Sequence, residues 1–180
     1  MRVVARRRWM ASGNGAHGYG GLQAAVRLGT CEILIDRPPA HVFILLVDLE
    51  QYLARWAKGP VAAKKLTGGP TASGARFEVI ARVAGIRLRS HYAVTSFERD
   101  ERFAGQGTAG PVRFSEEYTL VPDREAGDRT RLRYAMRATP RGIFKLARKP
   151  IAGQLRRLLD ADLERFKALV ETTPPSEAAR

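Results

Sequence analysis

The chain has 180 residues, enough for one domain with a substantial core. Its 44% apolar and 27% charged residues are ordinary for a folded protein, and no apolar run reaches the ~20 residues that a membrane-crossing helix needs. Lysine and arginine exceed aspartate and glutamate by 31 to 18, a net charge of +13 that favours anionic partners in general without selecting one.

The first 30 residues supply Arg2, Arg6, Arg7, Arg8 and Arg27 and no acid. The basic start resembles the head of a secretion signal, yet "ASGNGAHGYGG" follows where an apolar stretch would have to stand. The lone Cys31 excludes an intramolecular disulfide, so a reducing, cytoplasmic setting is expected. Five glycines in residues 11–21 leave little to pack against the entropy of ordering them, and residues 1–23 read as a disordered basic tail. "GNGAHG" within that tail matches G-x-G-x-x-G but lacks the preceding buried strand and the βαβ unit of a dinucleotide site. The domain is expected over 24–172, with 173–180 as a C-terminal tail.

"CEILID" is a strand candidate. Asp36 stands where an N-cap is expected, and Pro38 and Pro39 fall where a helix needs no amide donor. Val42, Phe43, Leu45 and Leu46 then give a helix over Ala40 to Val47 a broad apolar face. Asp48 with Gln51 resembles a capping box that opens a second short helix ending near Trp56.

From "VAAKKLT" onward the period is two. "ARFEVIARVAG", "IRLRSHYAVTSFE", "ERFAGQGTAG", "VRFSEEYTLVPD" and "RTRLRYAMRA" alternate between the two faces and are separated by short turns, which predicts an antiparallel meander with one solvated face. Arg87, Arg89, Arg131, Arg133 and Arg137 fall on the outward parity with few aromatic neighbours. From Pro150 the period changes. Ile151, Leu155, Leu158, Leu159, Leu163, Phe166, Leu169 and Val170 recur at three and four, predicting a helix long enough to lie along the whole dry face of the meander.

The order of strand, two short helices, about six antiparallel strands and one long helix resembles the START-like superfamily, the polyketide cyclase/dehydrase and lipid transport (SRPBCC) group. The resemblance covers about Glu32 to Glu171. It is carried by "IDRPPAHVFILLVDLEQYLARW" at Ile35 to Trp56, "GARF" at Gly74 to Phe77, "DRTRLRY" at Asp128 to Tyr134 and "DLERFKALVE" at Asp162 to Glu171. "RWAKG" departs from the W-x-P-W-like ending of many relatives. The resemblance implies an α+β helix-grip fold, a curved sheet of six to seven strands around the C-terminal helix, with a cavity between them.

A helix about 10 Å wide leaves room on the inner side of such a sheet. The expected lining is Trp56, Phe77, Leu88, Ser90, Tyr92, Phe103, Phe114, Tyr118, Tyr134, Met136, Leu155, Leu159 and Phe166, mostly apolar with a few hydroxyls. Such a wall suits a small hydrophobic or aromatic ligand: a lipid, quinone or polyketide. Glu116 is the candidate for chemistry. If no bulge shifts the parity, its carboxyl points inward among Phe114, Tyr118 and Tyr134, where desolvation raises its pKa. His17, His41 and His91 have unrelated spacings, no G-x-S-x-G or P-loop is present, and neither metal nor cofactor is expected. Three readings follow: a carrier or binding protein; a cyclase or dehydratase using the same cavity; and, less favoured, an RNA- or ribosome-associated module. Nothing in the sequence fixes the oligomeric state.

Overall fold

A computed structural model of the chain describes residues 26–83, 86–123, 128–140 and 148–175. The N-terminal tail over 1–23, the turn at Gly85 and most of "REAGD" lie outside the described residues.

Strand β1 (Val26–Ile35) runs into helices α1 (Pro39–Val47) and α2 (Leu49–Trp56). Strands β2 (Pro60–Lys65), β3 (Arg76–Val83), β4 (Ile86–Glu98), β5 (Arg102–Ala109), β6 (Val112–Asp123) and β7 (Arg129–Pro140) follow, then helix α3 (Arg148–Thr172). All seven strands form one antiparallel sheet in the order β1-β7-β6-β5-β4-β3-β2. The meander explains every neighbour except the first, because β1 pairs with the last strand and α1 and α2 carry the chain to the far edge. The expected α+β helix-grip architecture is therefore present.

The start of α1 differs from expectation. Its N-cap is Pro38, with no side-chain cap and with Pro39 at the first helical position. Asp36 instead accepts from Arg129 Nε on β7 at 2.9 Å. A charged guanidinium 93 residues away in sequence outcompetes the local amides for the carboxylate. Asp48 does cap α2, accepting from the amide of Gln51 at 3.1 Å, while the Gln51 side chain turns to the Tyr52 hydroxyl.

The core lies between the sheet's inner face, α1, α2 and the C-terminal half of α3. Ile35, Val42, Leu45, Leu132 and Val170 are completely enclosed. Several ties hold α3 to the two short helices. Asp162 Oδ1 accepts from the Lys58 amide at 3.0 Å and from Arg165 Nη1 at 2.8 Å, and Trp56 and Phe166 meet edge to face at 5.2 Å. The His41 ring bonds the Val170 carbonyl at 3.1 Å, and Arg37 donates to the Glu171 carbonyl. Burial pushes the Asp162 pKa up, against the opposing pull of the Lys58 amide and Arg165.

The N-terminal half of α3 is different. Gly153, Arg156, Arg157 and Leu158 are exposed, and the first described side chains of α3 to be fully buried are Asp162 and Leu163. Leu158, expected among the packing positions, is instead 36% exposed. Among the described residues, the fully buried side chains of α3 fall in its second half.

Candidate functional site

Strand pairing sets the inner face out in cross-strand rows. Ile33, Leu132 and Leu120 make the first; Cys31, Tyr134, Tyr118 and Phe103 make the second; Met136, Glu116, Gly105 and Val94 belong to the third; Ala138, Phe114, Gly107, Tyr92 and Phe77 form the fourth. The first two rows are buried throughout. In the third and fourth, Met136, Glu116 and Phe114 keep part of their surface accessible. The Cys31 thiol donates to Asp160 Oδ1 at 3.5 Å, which places the second row beside the middle of α3. Accessibility on the inner face therefore begins one row beyond it.

Glu116 sits at that boundary. Strand β6 pairs with β5 and β7 without a bulge across this stretch, so the parity read from sequence holds and Glu117 points outward to Arg102, at 2.8 Å. Glu116 Oε2 accepts from the Tyr134 hydroxyl at 3.0 Å and, more weakly, from the Tyr118 hydroxyl at 3.4 Å. Burial raises the carboxyl's pKa, and the surrounding phenols pull it the other way. The same burial, with the Glu116 charge, drives the phenols of Tyr92, Tyr118 and Tyr134 well above their ordinary range.

Tyr92 reaches the cluster because β5 carries glycine both opposite it, at Gly107, and two residues before that, at Gly105. A Cβ on Gly105 would stand 2.1 Å from the Tyr92 Cζ and Oη atoms, so only a residue without a side chain lets the ring lie there. Gly107 does the same for Phe114, whose Cζ would be 2.8 Å from an added Cβ. Tyr92 stacks on Phe114 at 6.2 Å, and Tyr118 packs on Tyr134 at 4.6 Å. The Tyr92 hydroxyl is buried and approaches the carboxyl without hydrogen-bond geometry; it has no partner among the described residues. Neither glycine stood among the expected site residues, although two glycines at alternate positions within one strand are the signal that would have found them.

Of the expected lining, the structure brings together Tyr92, Phe103, Phe114, Tyr118, Tyr134 and Met136 around Glu116. Phe77 extends the row at 6.5 Å from Tyr92. Ser90 is buried on β4, and Leu88 is half-buried two residues before it. Trp56 and Phe166 pair in the seam between α2 and α3, with the Trp56 indole N–H buried and unpartnered among the described residues. Leu159 is half-buried on α3, whereas the side chain of Leu155 lies outside the described residues.

A hollow of about 480 Å³ lies elsewhere, lined by Leu66, Arg76, Phe77, His91, Tyr92, Ala93 and Gln106. Arg76, Ala93 and Gln106 make one outward-facing row, so that hollow opens on the other side of the sheet. Much of the basic charge on that side is paired. Arg131 and Arg133 both contact Glu32 at 2.8 Å, Arg89 contacts Glu78 at 3.0 Å, and Arg129 contacts Asp36. Among the described residues, no group of His, Cys, Asp and Glu is placed to hold a metal, and no helix is long and apolar enough to cross a membrane.

The family described as polyketide cyclase / dehydrase and lipid transport matches residues 29–171. No curated protein matches the chain in sequence. Among solved structures, the Zhui aromatase/cyclase from Streptomyces sp. R1128 superposes with a TM-score of 0.69 at 18% identity, covering 82% of this chain and 94% of that one. A START superfamily protein from Mycobacterium smegmatis gives 0.62 at 15% identity, with 81% and 98% covered. A protein from Thermus thermophilus gives 0.63 at 20% identity, with 78% and 94% covered.

Proposed function

The chain belongs to the polyketide cyclase/dehydrase and lipid transport family, and from that premise we propose that it binds a small hydrophobic or aromatic ligand between the sheet and α3, as a carrier or binding protein. The observation that carries this reading is the burial gradient on the inner face. Rings and methylenes that would be sealed in a filled core, those of Phe114 and Met136, stay partly accessible beside a carboxyl and a buried phenol without a partner. Apolar walls with a few convergent polar groups are what a lipid, quinone or polyketide needs: area for burial and one or two anchors for orientation. The setting proposed is the cytoplasm, where the buried Cys31, outside any disulfide, stays a thiol.

Native mass spectrometry of the purified protein, followed by extraction, tests this directly. A bound apolar molecule that is released when Phe114→Trp or Met136→Trp fills the hollow is the expected result. Retention of that molecule by both variants would move the site elsewhere.

A second reading is favoured by Glu116 itself. A carboxyl pushed upward by burial and held by two phenols is suited to give a proton to a ligand carbonyl and take one back, as a cyclase or dehydratase requires. Turnover of an aromatisable polyketide whose pH profile shifts in Glu116→Gln would establish it; an unchanged profile would leave the carrier. A nucleic-acid partner draws less support, because the outward arginines named above are largely engaged with carboxylates.

A further inference from the structure

We infer that the interior site selects ligands bearing an uncharged hydroxyl and discriminates against their carboxylate counterparts, an inference that rests on the ligand-binding reading of that site. The hydrogen bonds of the Glu116 carboxyl with protein, from Tyr134 and Tyr118, both end on Oε2. Among the described residues Oε1 accepts none. Near the same carboxyl lies the buried Tyr92 hydroxyl, also without a hydrogen-bond partner among the described residues. The two open functions are therefore an acceptor and a donor in close company.

One ligand hydroxyl satisfies both at once, donating to Glu116 Oε1 and accepting from Tyr92. A ketone can use only the phenol. A carboxylate offers acceptors alone, and it would bring a second negative charge against Glu116 where little water remains to screen it. Among the described residues of β5, β6 and β7 no arginine or lysine shares the parity of Glu116 to neutralise that charge: Arg137, nearest in the pairing pattern, is exposed on the opposite parity, and Arg102 is turned outward to Glu117 and Glu98. The selectivity opposes the field of the whole chain, whose charge of +13 draws anions from a distance. A preference for the neutral ligand is thus a local effect that general electrostatics cannot imitate.

The test is a titration at pH 8 and 0.15 M salt with 2-naphthol, 2-naphthoate and naphthalene, three probes of one ring system. Wild type is expected to bind 2-naphthol at least about 10-fold more tightly than 2-naphthoate, with naphthalene between them. Glu116→Gln, which keeps the shape and removes the charge, should narrow the gap between naphthol and naphthoate to under about 3-fold. Tyr92→Phe should weaken naphthol while leaving naphthalene unchanged. Equal or tighter binding of naphthoate by wild type, with naphthalene still bound, overturns the selectivity and leaves the interior site standing. Failure of all three probes overturns the interior site and the selectivity with it. The wild-type comparison decides without any variant, so a poorly folded mutant cannot obscure the result.

Discussion

Glu116 places an ionisable group where a folding sequence has every reason to put a methyl. Its raised pKa means that the folded state binds the proton more tightly than the unfolded chain does. The stabilising contribution is therefore fully present below the unfolded value, near 4.5, and is lost as pH rises through the higher folded value. Above that point Glu116 is a liability that Gln does not share, since an amide oxygen still accepts from Tyr134 and carries no charge. Thermal melts should show Glu116→Gln more stable than wild type at pH 8, by on the order of 1 kcal/mol. The advantage should shrink toward pH 4.5. Equal melting temperatures across that range would mean that the carboxyl is well solvated and would remove the basis for any role in proton transfer. Gly105 belongs to the same logic, because a strand position that surrenders its side chain so that Tyr92 can reach the carboxyl gives up sheet propensity for site geometry.

At the scale of elements, the described side chains of α3 divide near its middle. Its second half carries Leu163, Phe166 and Val170 into the core and is tied by Asp162 to the end of α2. Of its first half, the described side chains are largely exposed. Phe166→Ala should accordingly destabilise the fold by about 3–5 kcal/mol, as for a large ring removed from a filled core. Leu158→Ala should stay within about 0.5 kcal/mol, as for a surface site. Chemical denaturation of the two variants checks the division, and a comparable loss in Leu158→Ala would mean that the helix is anchored along its full length. The three-and-four spacing reported an amphipath but not where its partner ends. The strands were more legible, since alternation in "VRFSEEYTLVPD" placed Glu116 inward and only an unseen bulge could have reversed it. What escaped the sequence was nonlocal: Asp36 read as a cap because Arg129 is invisible at that range, and Gly105 read as one more position of a strand because the reason for its missing side chain sits on β4.

For the whole molecule, the open question is whether the basic charge or the inner face governs what is bound. Formal charge overstates the case. Residues 1–30 contribute five arginines and no acid, leaving 26 basic against 18 acidic residues, or +8, over 31–180. Within the described part, Arg89, Arg102, Arg129, Arg131, Arg133 and Arg165 each lie within 4 Å of a carboxylate. A guanidinium already held by Glu32 or Asp36 gains less from a phosphate than a free one, because the existing pair must be broken first. Interaction with a polyanion also releases counterions, so its affinity falls steeply as salt rises, whereas burial of an apolar ring in an enclosed site displaces no ions. Titration of the full chain at 50 and 200 mM salt separates the two. Binding of a neutral apolar fluorophore should change by less than about 2-fold across that range, and any affinity for single-stranded RNA should fall by at least about 10-fold. A salt-sensitive fluorophore would place its binding on the charged outer surface, and RNA affinity that survives 200 mM salt would mean that stacking or base contacts on the sheet, rather than scattered arginines, hold the nucleic acid.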